Sequence, residues 1–145
     1  MCSSDLVCAC GNRGCVETRV ALGALLRAAG LDPAAGVDDL AARAEAGDAR
    51  TLEALAEAGR WLGVGVASAA NLLNPLGVVV GGSFAPLASW LAPGVREELD
   101  ARVLSSQYDG PRVFASELGG DAAVRGAAAA ALRRVFADPG LVAEL

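Results

Sequence analysis

The sequence has no histidine among its 145 residues. No imidazole can therefore serve as a metal ligand or complete a site begun by other side chains. Aromatic residues make up only 4% of the chain, while alanine is abundant and 54% of residues are hydrophobic. That balance favours helices and a core of small side chains packed at close distance. Positive charge is also scarce, with 12 basic against 17 acidic residues and a net charge of −5. The basic residues are scattered rather than clustered, so the chain lacks the basic face that DNA binding requires. Residues 1–15 have neither the basic start nor the apolar stretch of a signal peptide. The longest weakly polar run, Trp61 to Leu73, falls short of the roughly 20 residues a bilayer span needs. The chain reads as soluble and cytoplasmic, with no membrane partner.

Cysteine, by contrast, is concentrated. Cys8-Ala9-Cys10-Gly11-Asn12-Arg13-Gly14-Cys15-Val16-Glu17 gathers three of the four cysteines. Thiolates bind zinc through short bonds, and only a tight loop brings three of them to one ion. Gly11 and Gly14 permit the positive φ angles such a loop uses. Cys15 and Glu17 fall where a helix begins, and exposed N–H groups there favour thiolate and carboxylate. Cys8 and Cys10 stand too close for an unstrained disulfide. Three plain buried thiols are the alternative; the spacing with interleaved glycines favours a metal loop.

The rest of the chain predicts helices, then strand, helix, strand and helix. Glu17 to Ala29 reads as one helix, stopped by Gly30 with Pro33 shortly after. Asp38 reads as the N-cap of a short helix through Ala46, ended by Gly47. Asp48 then caps a long helix to about Leu73, with Leu52, Leu55, Gly59, Leu62, Val66, Ala70 and Leu73 on its repeat. Gly59, Gly63 and Gly65 each weaken it by about 1 kcal/mol relative to alanine, which implies close backbone packing on a neighbour. Asn74-Pro75 closes it. Leu76 to Val80 reads as a buried strand. Helical stretches follow over Ala85 to Leu91 and from Pro93 to Leu104, with Pro93 in a first turn. Gln107 to Pro111 reads as a loop, Arg112 to Ser116 as a second strand, and Ala122 to Phe136 as a final helix capped by Asp121. Asp138-Pro139-Gly140 ends it, and 141–145 form a short tail. Strand–helix–strand of that length implies a parallel crossover. Two strands alone make a poor sheet, so the chain reads as part of a larger one.

The Cys8–Glu17 stretch matches every fixed position of Cys-x-Cys-Gly-x-x-Gly-Cys-x-Glu, the cysteine signature of the ROK family of repressors and sugar kinases. Asn74-Pro75-Leu76-Gly77-Val78-Val79-Val80-Gly81-Gly82 resembles the family's Asn-Pro-x-x-Val-Val-x-Gly-Gly segment. The resemblance covers nearly all of 7–139. It implies an α/β fold: a partial C-terminal lobe of an actin-like ATPase (ribonuclease H-like), helix-rich with a short parallel sheet. It further implies that Cys8, Cys10 and Cys15 are zinc ligands and that Glu17 accepts hydrogen bonds from a bound sugar. The family's fourth ligand is a histidine upstream of the first cysteine, which this sequence lacks, so the zinc site is incomplete here. Cys2 is the one cysteine left to complete it. Residues 1–6 read instead as a non-native leader joined to a fragment, 7–145. That fragment holds the zinc loop at 8–17, helices over 17–73 and strand–helix–strand–helix over 76–137.

Gly81-Gly82 fits either close approach to a nucleotide at the end of a strand or a tight strand-to-helix turn. Ser83 and bulky Phe84 resemble the family's regulators more than its kinases. Trp61 and Trp90 read as core or interface residues. Asp100, Asp109, Glu117 and Asp121 show no pairing suited to acid–base catalysis. The kinases' catalytic aspartate and phosphate loop have no counterpart here, so no catalytic residue is assigned. The resemblance thus implies the sugar-sensing effector part of a transcriptional regulator. Its intact form would carry a helix-turn-helix domain, bind a sugar or sugar phosphate and dimerise. The alternative is the C-terminal half of an ATP-dependent, glucokinase-like sugar kinase, inactive as this piece, with Gly81 and Gly82 at the nucleotide.

Overall fold

The computed structural model describes residues 6–104 and 110–138. Cys2 and the rest of 1–5, residues 105–109 with Asp109 and most of the loop expected over Gln107 to Pro111, and 139–145 with the end of the expected helix stop and the expected tail lie outside the described residues.

Among the described residues, six α-helices and two strands follow in order: α1 (Glu17–Val20), α2 (Leu22–Ala29), α3 (Val37–Glu45), α4 (Ala49–Leu73), β1 (Gly77–Val80), α5 (Ala88–Arg102), β2 (Arg112–Ala115) and α6 (Ala122–Ala137). Short 3₁₀ turns at Gly82–Leu87 and Gly119–Asp121 lead into α5 and α6. The helix expected from Glu17 to Ala29 is broken. Ala21 is extended at ψ 147°, so a four-residue turn closes the cysteine loop and α2 starts afresh. The break lets α2 turn Leu25, Leu26 and Ala29 into the core. It ends at Gly30, at φ 70°, as anticipated. Arg50 donates from Nε to the Ala28 carbonyl at 2.8 Å, putting positive charge where the helix dipole is negative.

The start of α3 differs from the expectation. Gly36 is the cap, and Asp39 reaches back to accept from its N–H at 2.7 Å, leaving Asp38 inside the first turn. Asp48 does cap α4: its Oδ1 accepts from the Thr51 N–H at 2.9 Å and from the Thr51 hydroxyl at 2.6 Å. Those bonds, the hydroxyl's first, hold the Asp48 carboxyl below its ordinary pKa.

Helices α4 and α5 form the densest packing. A Cβ placed on Gly59 would lie 2.5 Å from the Leu91 carbonyl oxygen, and one on Gly63 would lie 3.0 Å from the Val95 Cα. The approach is reciprocal, since a Cβ on Gly94 would lie 2.7 Å from the Arg60 nitrogen. The glycines therefore let two backbones meet, as their cost to the helix implied. Around this seam sit Leu55, Leu87, Leu91, Val95 and Leu99, all buried. Leu73 is exposed, outside the buried face assigned to it.

The two helical stretches expected around Pro93 are a single helix. Pro93 lies inside α5 rather than in a first turn. Ser89 and Pro93 are both on the exposed side, so water can take the carbonyl that proline leaves without an N–H. Helix α5 ends where Asn71 of α4 intervenes. The Asn71 amide donates to the Arg102 carbonyl and its oxygen accepts from the Leu104 N–H, both at 2.9 Å.

Strands β1 and β2 pair in parallel, Gly77 with Arg112 through Val80 with Ala115. Among the described residues they form the whole sheet. Contrary to a fully buried strand, Val79 is exposed, as is Phe114 on the neighbouring strand. Helix α6 has no buried residue, and Asp121 makes no side-chain capping bond to it. No helix of the described residues is long and apolar enough to cross a membrane.

Candidate metal loop and the carboxylate beside it

The cysteine loop is a small hairpin. Val7 and Arg13 pair as an antiparallel bridge. The Cys8 N–H donates to the Asn12 carbonyl at 2.7 Å, and the Cys8 carbonyl accepts from the Gly11 N–H at 2.9 Å. The Gly14 N–H reaches the Leu6 carbonyl at 3.0 Å. Gly11 and Gly14 take φ angles of 88° and 71°, as the turn demands. This folding brings the sulfurs of Cys8, Cys10 and Cys15 within 4.8 Å of one another. Cys10 Sγ and Cys15 Sγ stand 3.7 Å apart. Thiolates on one tetrahedral zinc, with bonds near 2.3 Å, lie about 3.8 Å apart. The three residues thus fit a metal ion in position as well as in chemistry.

The loop also differentiates its thiols. The Asn12 backbone N–H, with smaller help from the Cys8 and Cys15 thiols, holds Cys10 below the ordinary thiol value. Cys15 is pushed up to about 11, chiefly through its hydrogen bond to Cys10 and then that to Cys8. Without a cation, the Cys10 thiolate is favoured at the expense of Cys15.

Glu17 opens α1 directly after the loop. It is exposed and lines a groove of about 240 Å³ together with Cys8, Thr18, Ala21 and Arg27. Two residues that sequence reasoning passed over hold this turn. The Thr18 hydroxyl donates to the Cys15 carbonyl at 2.7 Å. Arg19 packs over the Trp61 ring at 5.3 Å and meets Glu57 Oε1 at 3.4 Å. That same oxygen accepts from the Trp61 indole at 3.3 Å. Val16 lies over the α4 backbone, 3.2 Å from where a Gly65 Cβ would be. The turn that carries Glu17 is therefore anchored on both sides, by the cysteine hairpin and by α4. A Thr in a first turn is a visible local signal; the Arg19–Glu57–Trp61 cluster, joined across 38 residues, is not.

Gly81 and Gly82 sit apart, and Gly81 lines a separate apolar groove with Phe84, Val66 and Val95. Gly81 has a local reason to be glycine, because a Cβ there would come 2.9 Å from that of Ser116. Gly82 has another, with φ at 62°. The structure therefore brings the three cysteines and Glu17 together and leaves the glycine pair as a strand-to-helix turn.

The sequence profile of the ROK family matches residues 1–134. The chain belongs to the ROK family. It is similar to the xylose repressor of Bacillus subtilis (strain 168), at 31% identity over 120 residues, spanning 82% of this chain and 31% of the repressor. It is similar also to the glucokinase of Halalkalibacterium halodurans, at 30% identity over 135 residues, spanning 82% of this chain and 41% of the enzyme. The chain thus spans between 31% and 41% of the length of these relatives. Among solved structures, a ROK family glucokinase from Streptomyces griseus in complex with glucose and AMPPNP superposes with a TM-score of 0.68. It shares 23% identity and covers 81% of this chain and 44% of its own. A ROK family transcriptional regulator, a homologue of the E. coli MLC protein, gives a TM-score of 0.65 at 26% identity, covering 77% of this chain and 32% of its own. The ROK chain therefore has part of an actin-like ATPase (ribonuclease H-like) fold, helix-rich with a short parallel sheet.

Proposed function

We propose that this ROK chain is part of the sugar-sensing effector region of a transcriptional regulator. The observation that carries the reading is the groove in which Glu17 stands beside the cysteine hairpin. In this reading zinc is the metal, held by Cys8, Cys10 and Cys15. When bound it supplies a fixed point that stiffens the hairpin. The chain's own residues do the rest: Thr18 ties the hairpin to α1, Arg19 ties α1 to α4, and Glu17 accepts hydrogen bonds from sugar hydroxyls. Bonds from neutral donors to a carboxylate are worth about 1.5–3 kcal/mol each. Sugar or sugar phosphate then shifts the intact protein between states of different DNA affinity by binding one better than the other. The intact protein acts as a cytoplasmic homodimer, with the DNA-reading part outside this acidic chain.

Phe84 favours the regulator over the kinase. Its ring is half-buried and packs against the core beside Gly81, where a nucleotide would need open space. The kinase reading draws on the glucokinase similarity and would give Gly81 and Gly82 to ATP.

Calorimetry of the intact protein with xylose, N-acetylglucosamine and glucose, and separately with a non-hydrolysable ATP analogue, tests both readings. The regulator reading predicts that one sugar binds, that the nucleotide does not, and that Glu17→Gln weakens the sugar at least about tenfold. Nucleotide binding with sugar phosphorylation would establish the kinase. No sugar binding at all would overturn both.

A further inference from the structure

The three cysteines of the hairpin are not equivalent. Cys8 is 7% exposed and its backbone is fixed by hydrogen bonds on both sides, whereas Cys10 is exposed and Cys15 half-buried. Cys10 and Cys15 face each other at 3.7 Å. A disulfide measures about 2.05 Å, so closing one asks the sulfurs to approach by less than about 2 Å. The segment between them contains Gly11 and Gly14, and no atom lies within 4 Å of where a Gly11 Cβ would be, so the loop has room to tighten.

We propose that Cys10 and Cys15 are an oxidisable pair that peroxide converts to a loop disulfide, with Cys8 left as a thiol. The Cys10 sulfur attacks one oxygen of hydrogen peroxide. The O–O bond breaks, Cys10 becomes a sulfenic acid and one water leaves. The Cys15 sulfur then attacks the Cys10 sulfur. An S–S bond forms, the S–O bond breaks, and the leaving hydroxide takes the Cys15 proton as a second water. Two thiols lose two electrons and one peroxide gains them. The pairing stands independently of any sugar. Its consequence for a metal follows from the ligand chemistry: a sulfur in a disulfide is no thiolate, so oxidation leaves the hairpin one sulfur in place of three.

The test uses the whole chain carrying Cys2→Ser, stripped of metal with a chelator and treated with hydrogen peroxide. Free thiols are alkylated, and the protein is digested with trypsin without reduction. Cleavage after Arg13 separates Cys8 and Cys10 from Cys15, so the disulfide joins two peptides that mass spectrometry sees as one. The expected product is the joined pair, lighter by two hydrogens, with the alkyl group on Cys8. Cys8→Ser should retain the link and Cys10→Ser should lose it. Binding of Zn²⁺, read against a chromophoric indicator, should fall about tenfold on oxidation and return with dithiothreitol. The proposal is overturned by a link through Cys8, by over-oxidised Cys10 beside an alkylated Cys15, or by no reaction. The same mixture of links from chain unfolded in guanidinium would also overturn it, since the pairing would then owe nothing to the fold.

Discussion

The α4–α5 seam and the β2–α6 arm lie in one chain and are built on opposite terms. At the seam, glycine brings backbone against backbone, and Leu55 and Val95 are wholly buried at 0% exposure. In the arm, Val124 is 71% and Phe136 79% exposed, and α6 contributes nothing to the core. Helices α4 and α6 are both alanine-rich, so composition does not separate them. What separates them is whether a partner face is supplied by the described residues. Apolar side chains therefore stand at a face that the described residues leave open, and the chain spans 31% of the xylose repressor.

The contrast makes quantitative predictions for thermal unfolding of the chain. Leu55→Ala should have the largest effect, about 2–5 kcal/mol, because it empties a fully packed position. Gly59→Ala should cost about 1–3 kcal/mol, since the added methyl meets the Leu91 backbone rather than a side chain that can turn away. Asp48→Ala should cost less and in a pH-dependent way. The folded pKa of Asp48 is depressed, so its stabilisation is present above the ordinary value of 3.8 and is lost as pH falls through the lower folded value. The variant's deficit should therefore be full at pH 7 and shrink in acid, where the neutral carboxyl is a weaker acceptor; a deficit unchanged in acid would mean that the ionised cap is not its cause. Phe136→Ala should be the smallest, within about 0.5 kcal/mol. A larger loss there would break the comparison by showing that α6 is covered in solution.

The cysteine hairpin and the capped start of α4 were legible in the sequence because their determinants are local. Gly11, Gly14 and Asp48 act within a few residues of themselves. The close approach at Gly59 and Gly63 was legible for a different reason: glycine in a helix is costly unless space demands it. The break at Ala21 was not, since alanine is the best helix former and nothing local marks it. Pro93 misled because a proline within a helix is rare, yet its exposed side here makes it tolerable. The support around Glu17 was hidden because Arg19, Glu57 and Trp61 come together only once α1 is docked on α4.

The proposed metal is held by the sulfurs of Cys8, Cys10 and Cys15 beside Glu17. Titrating the reduced chain with Co²⁺ and following thiolate-to-cobalt absorption tests it directly, because that absorption grows with the number of bound thiolates. The predicted result is one ion per chain, with the absorption weakened by Cys8→Ser, Cys10→Ser and Cys15→Ser alike. A chain that shows no such absorption, or one whose absorption survives all three substitutions unchanged, would contradict it.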